Sequence, residues 1–326
     1  VVAVLLLCLL VAGAAAWFSI SLADQSVRGS AWAKGESARE MSARSALEWS
    51  RYRLAADGSL LTLQAPSAEE AVPDTAGLPA ASVRYSLESK ARQTVVWGPD
   101  MPVPPGLAAG LYCWVEDNFS ADGLSDPAPV PLGGLAPSWQ VVPDAVNPGS
   151  GAVESPGLFR AGDAGLVNVF VPVLSAAGNS VPVGSCQAAR VEVGDLVSDP
   201  PVVRLSPRVG QVDSVRDVPF TALVYGPSGA RQAVPPEAVF ELAGPGSLVE
   251  EPWGVLYQPA GPGTVTVKVT VAEGGVMCSD EVSFDVVKPQ RLCRVVPLVE
   301  GRPWGEAWLR DYGGRASVLT WSAGGP

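Results

Sequence analysis

Cysteines and aspartates are the residues of this chain whose types and spacing could do chemistry. Cys8 stands in an uncharged N-terminal run, and Cys113, Cys186, Cys278 and Cys293 form an even set further on. An even set without a C-x-x-C pair predicts bridges in an oxidising compartment rather than a redox motif or a zinc site. Asp117, Asp122 and Asp126, in EDNFSADGLSD, could offer oxygen ligands to calcium from a loop between strands. Their spacing is not that of an EF-hand, and the plainer reading is an acidic turn. The chain has no histidine, so neither a Ser-His-Asp nor a Cys-His arrangement is open to it. Glu69-Glu70 and Glu250-Glu251 are adjacent acids in Pro-rich surroundings, where solvation is the ordinary outcome. The residues therefore predict no catalytic site, no cofactor and no enzyme activity.

The elements that must position these residues begin with a long helix. Residues 1–23 carry no charge, and a charged helical pattern runs straight on to about residue 54 without a proline. At ~1.5 Å per residue this is a rod roughly 80 Å long. The segment divides into an apolar half, 1–23, and an amphipathic half, 24–54. Three readings of the apolar half compete: a secretory signal with GAAA at 13–16 as its cleavage site, a transmembrane anchor, and a helix that packs in the core of an assembly. Gly13 is the point where such a helix would loosen first, since Gly costs ~1 kcal/mol relative to Ala.

Charge is divided unevenly. The whole chain has 22 basic and 33 acidic residues, a net charge of −11. Residues 24–54 hold six basic and four acidic side chains, or +2, so the remainder carries 16 against 29, or −13. An acidic exterior excludes nucleic acid as a partner, which needs a basic stripe.

Beyond residue 54 the helical period is lost, and most of the 31 prolines and 35 glycines follow. Short alternating runs bounded by Gly, Pro, Asn and Asp predict antiparallel strands. In TVTVKVTV, Val265, Val267, Val269 and Val271 share one face and Thr264, Thr266, Lys268 and Thr270 the other. A valine row of this kind requires a second sheet to cover it. An internal repeat then sets the architecture. YCWVED (112–117) aligns with FTALVY (220–225), SWQVVP (138–143) with VFELAG (239–244), and GLFRAGDAGLVNVFVPV (157–173) with GVLYQPAGPGTVTVKVTV (254–271). Cys186 aligns with Cys278, while Thr221 stands where the first copy has Cys113. The alignment pairs Cys113 with Cys186 and leaves Cys278 for Cys293. Trp114, Trp139 and Trp253 are read as core or turn packing.

The expected fold class is α+β, a long N-terminal helix followed by an all-β region with two β-sandwiches. Its expected divisions are 1–55, the helix; 56–105, a small β connecting region; 106–198 and 199–287, the sandwiches; and 288–326, a C-terminal β extension.

Two resemblances give these parts a context. AREMSARSALEWSRYRL, 38–54, resembles the end of the first helix in type IV pilin-like subunits, of the PilX-like and mannose-sensitive haemagglutinin biogenesis types. The repeat resembles bacterial immunoglobulin-like domains of surface adhesins. The first resemblance implies that residues 1–54 self-associate with other pilin subunits, with Val1, Leu5, Leu9 and Gly13 in the filament core. It implies a precursor held by the inner membrane and a filament displayed outside the cell, where a surface receptor is a possible partner. The chain departs from major pilins, which begin with Phe and carry a Glu at the fifth position. Val1 and Leu5 stand there if Val1 is the mature start, which favours a tip or priming subunit, or a filament that solves the charge problem differently, and leaves a main subunit open. The alternative is a single-span, membrane-anchored adhesin or envelope protein that does not polymerise.

Overall fold

A computed structural model describes residues 2–57, 59–73, 77–117, 128–312 and 315–323. Along the helix it describes side chains at 25, 28, 30, 31 and from 33 onward. A single N-terminal helix, Val2–Ala56, is followed by an extensive all-β region organised into several sheets. The helix runs unbroken through Gly13, Gly29 and Gly35. No proline interrupts it, and the alanines around the glycines favour the helical backbone.

Among the described residues no helix is long and apolar enough to cross a membrane. From residue 25 on, the helix carries a charge at least every six positions, at 28, 34, 36, 39, 40, 44, 48, 51 and 53, and that density is incompatible with a hydrocarbon span. The expected transmembrane helix is corrected on this finding. With it goes the membrane-held precursor that followed from it. The side chains of 1–24, including those of Leu5 and Leu9, lie outside the described residues, as do Val1 and the side of the helix at Gly13.

The C-terminal part of the helix lies on an antiparallel sheet with the strand order Ser67–Ala71, Ala81–Leu87, Arg291–Val299, Gly305–Tyr312, Arg315–Ala323. Ala43, Ala46, Leu47, Ser50 and Leu54 are buried, at the three- and four-residue spacing of one helical face. Ala46, Leu47 and Leu54 form one core with Val83, Tyr85, Cys293, Val295, Ala307 and Leu309 from the sheet. Small residues at 42, 43, 46 and 50 let the helix axis come close. The strands before residue 88 and those after residue 290 are thus partners in one sheet. Leu87 stands opposite Cys293, and the Glu88 amide donates to the Leu292 carbonyl at 2.8 Å. Everything between is inserted into a helix-and-sheet base.

The inserted arm, residues 88–290, has two cores. In the first, the sheet of Ala136–Pro143, Gly165–Ala176, Asn179–Pro182 and Ala189–Val193 covers Gln93–Trp97, Tyr112–Asp117 and Leu158–Ala161 around Val167, Val169, Val171 and Phe159. In the second, Ala238–Ala243, Gly263–Glu273 and Val276–Val287 cover Val202–Ser206, Val218–Gly226 and Gly254–Gln258 around Val265, Val267, Val269, Val271 and Phe220. The valine row is buried, as its alternation requires.

The two cores are joined face to face. Tyr112–Asp117 and Val218–Gly226 are each buried along their whole length. Tyr112 and Trp114 point into the second core, while Cys113 and Val115 point into the first. Leu223 and Tyr225 return the contact by packing in the first core. Trp114 is therefore packed, but between the two cores.

Candidate assembly surface and its clamps

The surface that a partner would meet first is set by how the helix is fixed to its sheet. Arg291 is 2% exposed and closes the helix C-terminus. Its guanidinium donates to the carbonyl oxygens of Leu54 and Asp57 and to Asp311 Oδ2 at 2.5 Å. The last carbonyls of a helix have no intrahelical partner and sit at the negative end of its dipole. A guanidinium fork satisfies both needs at once.

Arg53 makes a second clamp, donating through Nε and Nη2 to the two oxygens of Glu70 at 3.1 and 2.8 Å. The hydrogen bond and charge of Glu70 hold the Arg53 guanidinium above its ordinary proton affinity. Asp57 is held below the ordinary carboxylate range, first by the Ser59 hydroxyl and amide that donate to it. Further up the helix Arg39 Nε reaches Glu300 at 3.0 Å, and Ser42 donates to the Pro79 carbonyl at 3.0 Å.

The clamps leave the opposite face of the helix outward. Met41 is 55% and Tyr52 62% exposed, with Trp49 half-buried and its ring 5.6 Å from that of Tyr52. The described side chains at 25, 28, 30, 31, 33 and 34 are all exposed. Ion pairs Arg44–Glu40 and Arg51–Glu48 neighbour the exposed Met41 and Tyr52 along the helix. Surface pairs of this kind contribute little stability, so the stripe is open to contact at low cost.

The arm is fixed by a buried polar cluster. Tyr112 donates its hydroxyl to Asp213 Oδ2 at 2.9 Å and accepts from the Asp213 amide at 2.9 Å and from Arg216 Nη2 at 3.2 Å. Arg216 stacks 5.0 Å over the same ring and pairs with Asp213. Burial holds the Tyr112 hydroxyl well above the usual phenol range. A cavity of about 790 Å³ opens beside it, between the helix end at Ala55, the loop 131–137, Val215 and Lys288. Its Arg216 and Arg291 are already engaged by Asp213 and Asp311.

The residues expected to do chemistry are dispersed. Cys113, Cys186, Cys278 and Cys293 are all free thiols, which corrects the expected bridges. Cys278 lies on the continuous strand Val276–Val287, nine positions before its end, or about 30 Å from Val287 at ~3.3 Å per residue. Cys293 follows in the base core, far beyond the ~7 Å Cα reach of a disulfide. Cys186 is separated from Cys113 by the intervening strand Gln93–Trp97, so the two are about two 4.8 Å strand spacings apart. Burial pushes the Cys113 and Cys293 thiols up to about 12, which keeps them neutral.

Asp117 is 4% exposed, accepts from the Lys90 amide at 3.1 Å and pairs with Arg92 at 3.4 Å. Asp122 and Asp126 lie outside the described residues, and among the described residues no group of three acidic, Cys or His side chains is placed to hold a metal. Sequence reasoning missed Arg291 and the Tyr112–Asp213–Arg216 cluster. KPQRL gives no sign that its arginine ends a helix more than 230 residues earlier. Nothing in QVDSVRD marks Asp213 and Arg216 as partners of a tyrosine far earlier in the chain. No family model matches this chain, and no curated protein matches it.

Proposed function

We propose that the chain is a structural subunit of a type IV pilin-like filament. Residues 1–54 pack with the same segment of other copies, and two immunoglobulin-like β-sandwiches, running from about residue 91 to 287, are held outward as one arm. One observation carries the reading. The helix is 55 residues long, and among its described side chains the buried ones run from Ser42 to Leu54. The uncharged N-terminal run of 23 residues is, by its sequence, a segment that needs an apolar surface to pack on. Copies of the same helix supply a matching apolar surface, and burial returns roughly 25 cal/mol per Å².

The charge division supports the same reading. Residues 88–290 hold 10 basic and 22 acidic residues, or −12, which leaves the base 12 against 11, or +1. A near-neutral base can crowd with its copies, while arms of like charge stay apart and soluble. The arm's work is spacing and contact, including adhesion to a surface partner.

Electron microscopy of the purified full chain tests this, beside Leu9→Asp. Filaments from the unsubstituted chain, and their loss in Leu9→Asp with the arm still folded, are expected. A chain that stays monomeric at every concentration, or a Leu9→Asp variant that assembles normally, refutes the reading.

A further inference from the structure

The cavity between base and arm is held open by fixed walls. On one side stands the helix end at Ala55 and Ala56; on the other, the arm loop 131–137 with Val215, Arg216 and Lys288. The Leu63 amide donates to the Pro131 carbonyl at 2.9 Å, the Gln290 amide to the Pro129 carbonyl at 2.7 Å, and the Ser214 amide to the Val287 carbonyl at 2.9 Å. Gly133, at φ 64°, lets the loop press on the base, since a Cβ there would fall on the Thr62 hydroxyl. About 790 Å³ is the size of a site for a small organic molecule, and such sites are usually formed before the ligand arrives.

The arm is acidic, yet the wall it gives to this cavity is cationic. Parallel pairing of Gln211–Asp213 with residues 285–287 sets Arg216 and Lys288 on the same wall. Arg216 is paired with Asp213, but the two are not equally open. The Asp213 side chain is 3% exposed and does not line the cavity, whereas that of Arg216 is 19% exposed and does. The pair thus turns its positive member to the cavity, and exposed Lys288 adds a second positive charge there. At the floor, Asp311 is held by Arg291 at 2.5 Å. Among the described lining residues three cations face one carboxylate. Val215, exposed between the two cations, and the exposed Ala136 and Ala56 give the remaining surface an apolar character.

We propose that this cavity binds a small organic carboxylate with an apolar body. The carboxylate meets Arg216 and Lys288, and the body lies along Val215, Ala136 and the helix end at Ala56. A guanidinium matches the planar geometry of a carboxylate, and partial exclusion of water strengthens the attraction. The apolar body supplies the remainder by leaving water against a surface that is already in place. The walls belong to base and arm alike, so an occupant ties the two together. The site does not depend on the filament reading.

Calorimetric titration of the full chain with octanoate, octanol and octylammonium tests this. Octanoate is expected to bind with a dissociation constant below about 1 mM, and the neutral and cationic analogues at least tenfold more weakly. Lys288→Glu, at an exposed position, is expected to weaken octanoate at least tenfold, and Lys288→Arg to preserve it. Ala136→Trp, which fills the space, is expected to abolish binding; if that variant fails to fold, Lys288→Glu carries the test. Saturating octanoate should also raise the melting temperature of the unsubstituted chain, because it binds the folded state. Octanol bound as tightly as octanoate means an apolar pocket that makes no use of charge, which overturns the proposal. Normal octanoate binding by Lys288→Glu or by folded Ala136→Trp places the ligand elsewhere and overturns it too, as does an unsubstituted chain that binds none. Each of these failures leaves the filament reading standing.

Discussion

Arg291 donates to the carbonyl oxygen of Leu54 across 237 positions of sequence. The strand that returns from the arm thereby ends the helix that began the chain, and base folding depends on the chain having come back.

Removing that guanidinium is expected to be costly. Arg291→Ala leaves Asp311 buried without its cation and the helix carbonyls without donors, a loss of about 3–5 kcal/mol for a broken buried pair. Arg291→Met with Asp311→Leu should recover a large part of it, because a well-packed apolar pair avoids the desolvation of both charges. Urea unfolding followed by circular dichroism measures both, and equal stability of the two variants would count against the clamp.

The base is expected to fold without the arm. Residues 87 and 293 are directly opposite, and the Leu292 amide donates to Ser89 Oγ at 2.8 Å, so the insertion enters and leaves at one place. A chain in which 90–290 is replaced by Asn-Gly needs only a tight turn between antiparallel strands. It keeps Arg291, which follows the turn directly and still closes the helix. Cooperative unfolding with helix and sheet signals together is the expected result.

Gly110 should hold the two cores of the arm in contact. Its amide donates to Ser206 Oγ at 3.0 Å and Thr221 Oγ1 at 2.9 Å, and a Cβ there would sit 2.6 Å from the Ser206 carbonyl oxygen and against that of Pro219. Gly110→Ala must push backbone apart, with a cost of about 1–3 kcal/mol as in other overpacked sites. Faster proteolysis between the two cores, with each core intact, is expected; an unchanged digestion pattern would show that the contact tolerates a methyl group.

Alkaline pH should destabilise the fold through buried thiols. Cys113 and Cys293 have folded values near 12 against an ordinary 9.0, so the unfolded chain gives up these protons first. Their contribution is present in full below about pH 9 and is lost as pH rises from 9 toward 12. Tyr85 and Tyr112, raised chiefly by burial, act in the same direction. Urea midpoints across this range should fall, and less steeply in Cys113→Ala and Cys293→Ala. Alkylation at pH 8 should mark exposed Cys186 first, and reductant should leave the melting temperature unchanged.

Several features were legible in the sequence because they are periodic and local. An uninterrupted helical pattern over 1–54 gave one continuous helix, and the alternation at 264–271 placed four valines in a core. The repeat marked corresponding strands, such as Ala136–Pro143 and Ala238–Ala243, because each copy repeats the same short-range pattern. What the sequence left open were relations between distant segments. Strand pairing depends on which edges meet, and the apolar patterns of Ala81–Leu87 and Arg291–Val299 are no more specific for each other than for other strands of the chain. Cysteine spacing could not decide the bridges, since it carries no distance across sheets. Trp114 was read as core or turn packing, and only the packing of two sheets face to face buried it, with Tyr112, in the core of the other unit. Tertiary structure decided these points because burial and buried hydrogen bonds are settled by surfaces brought together after the local elements exist.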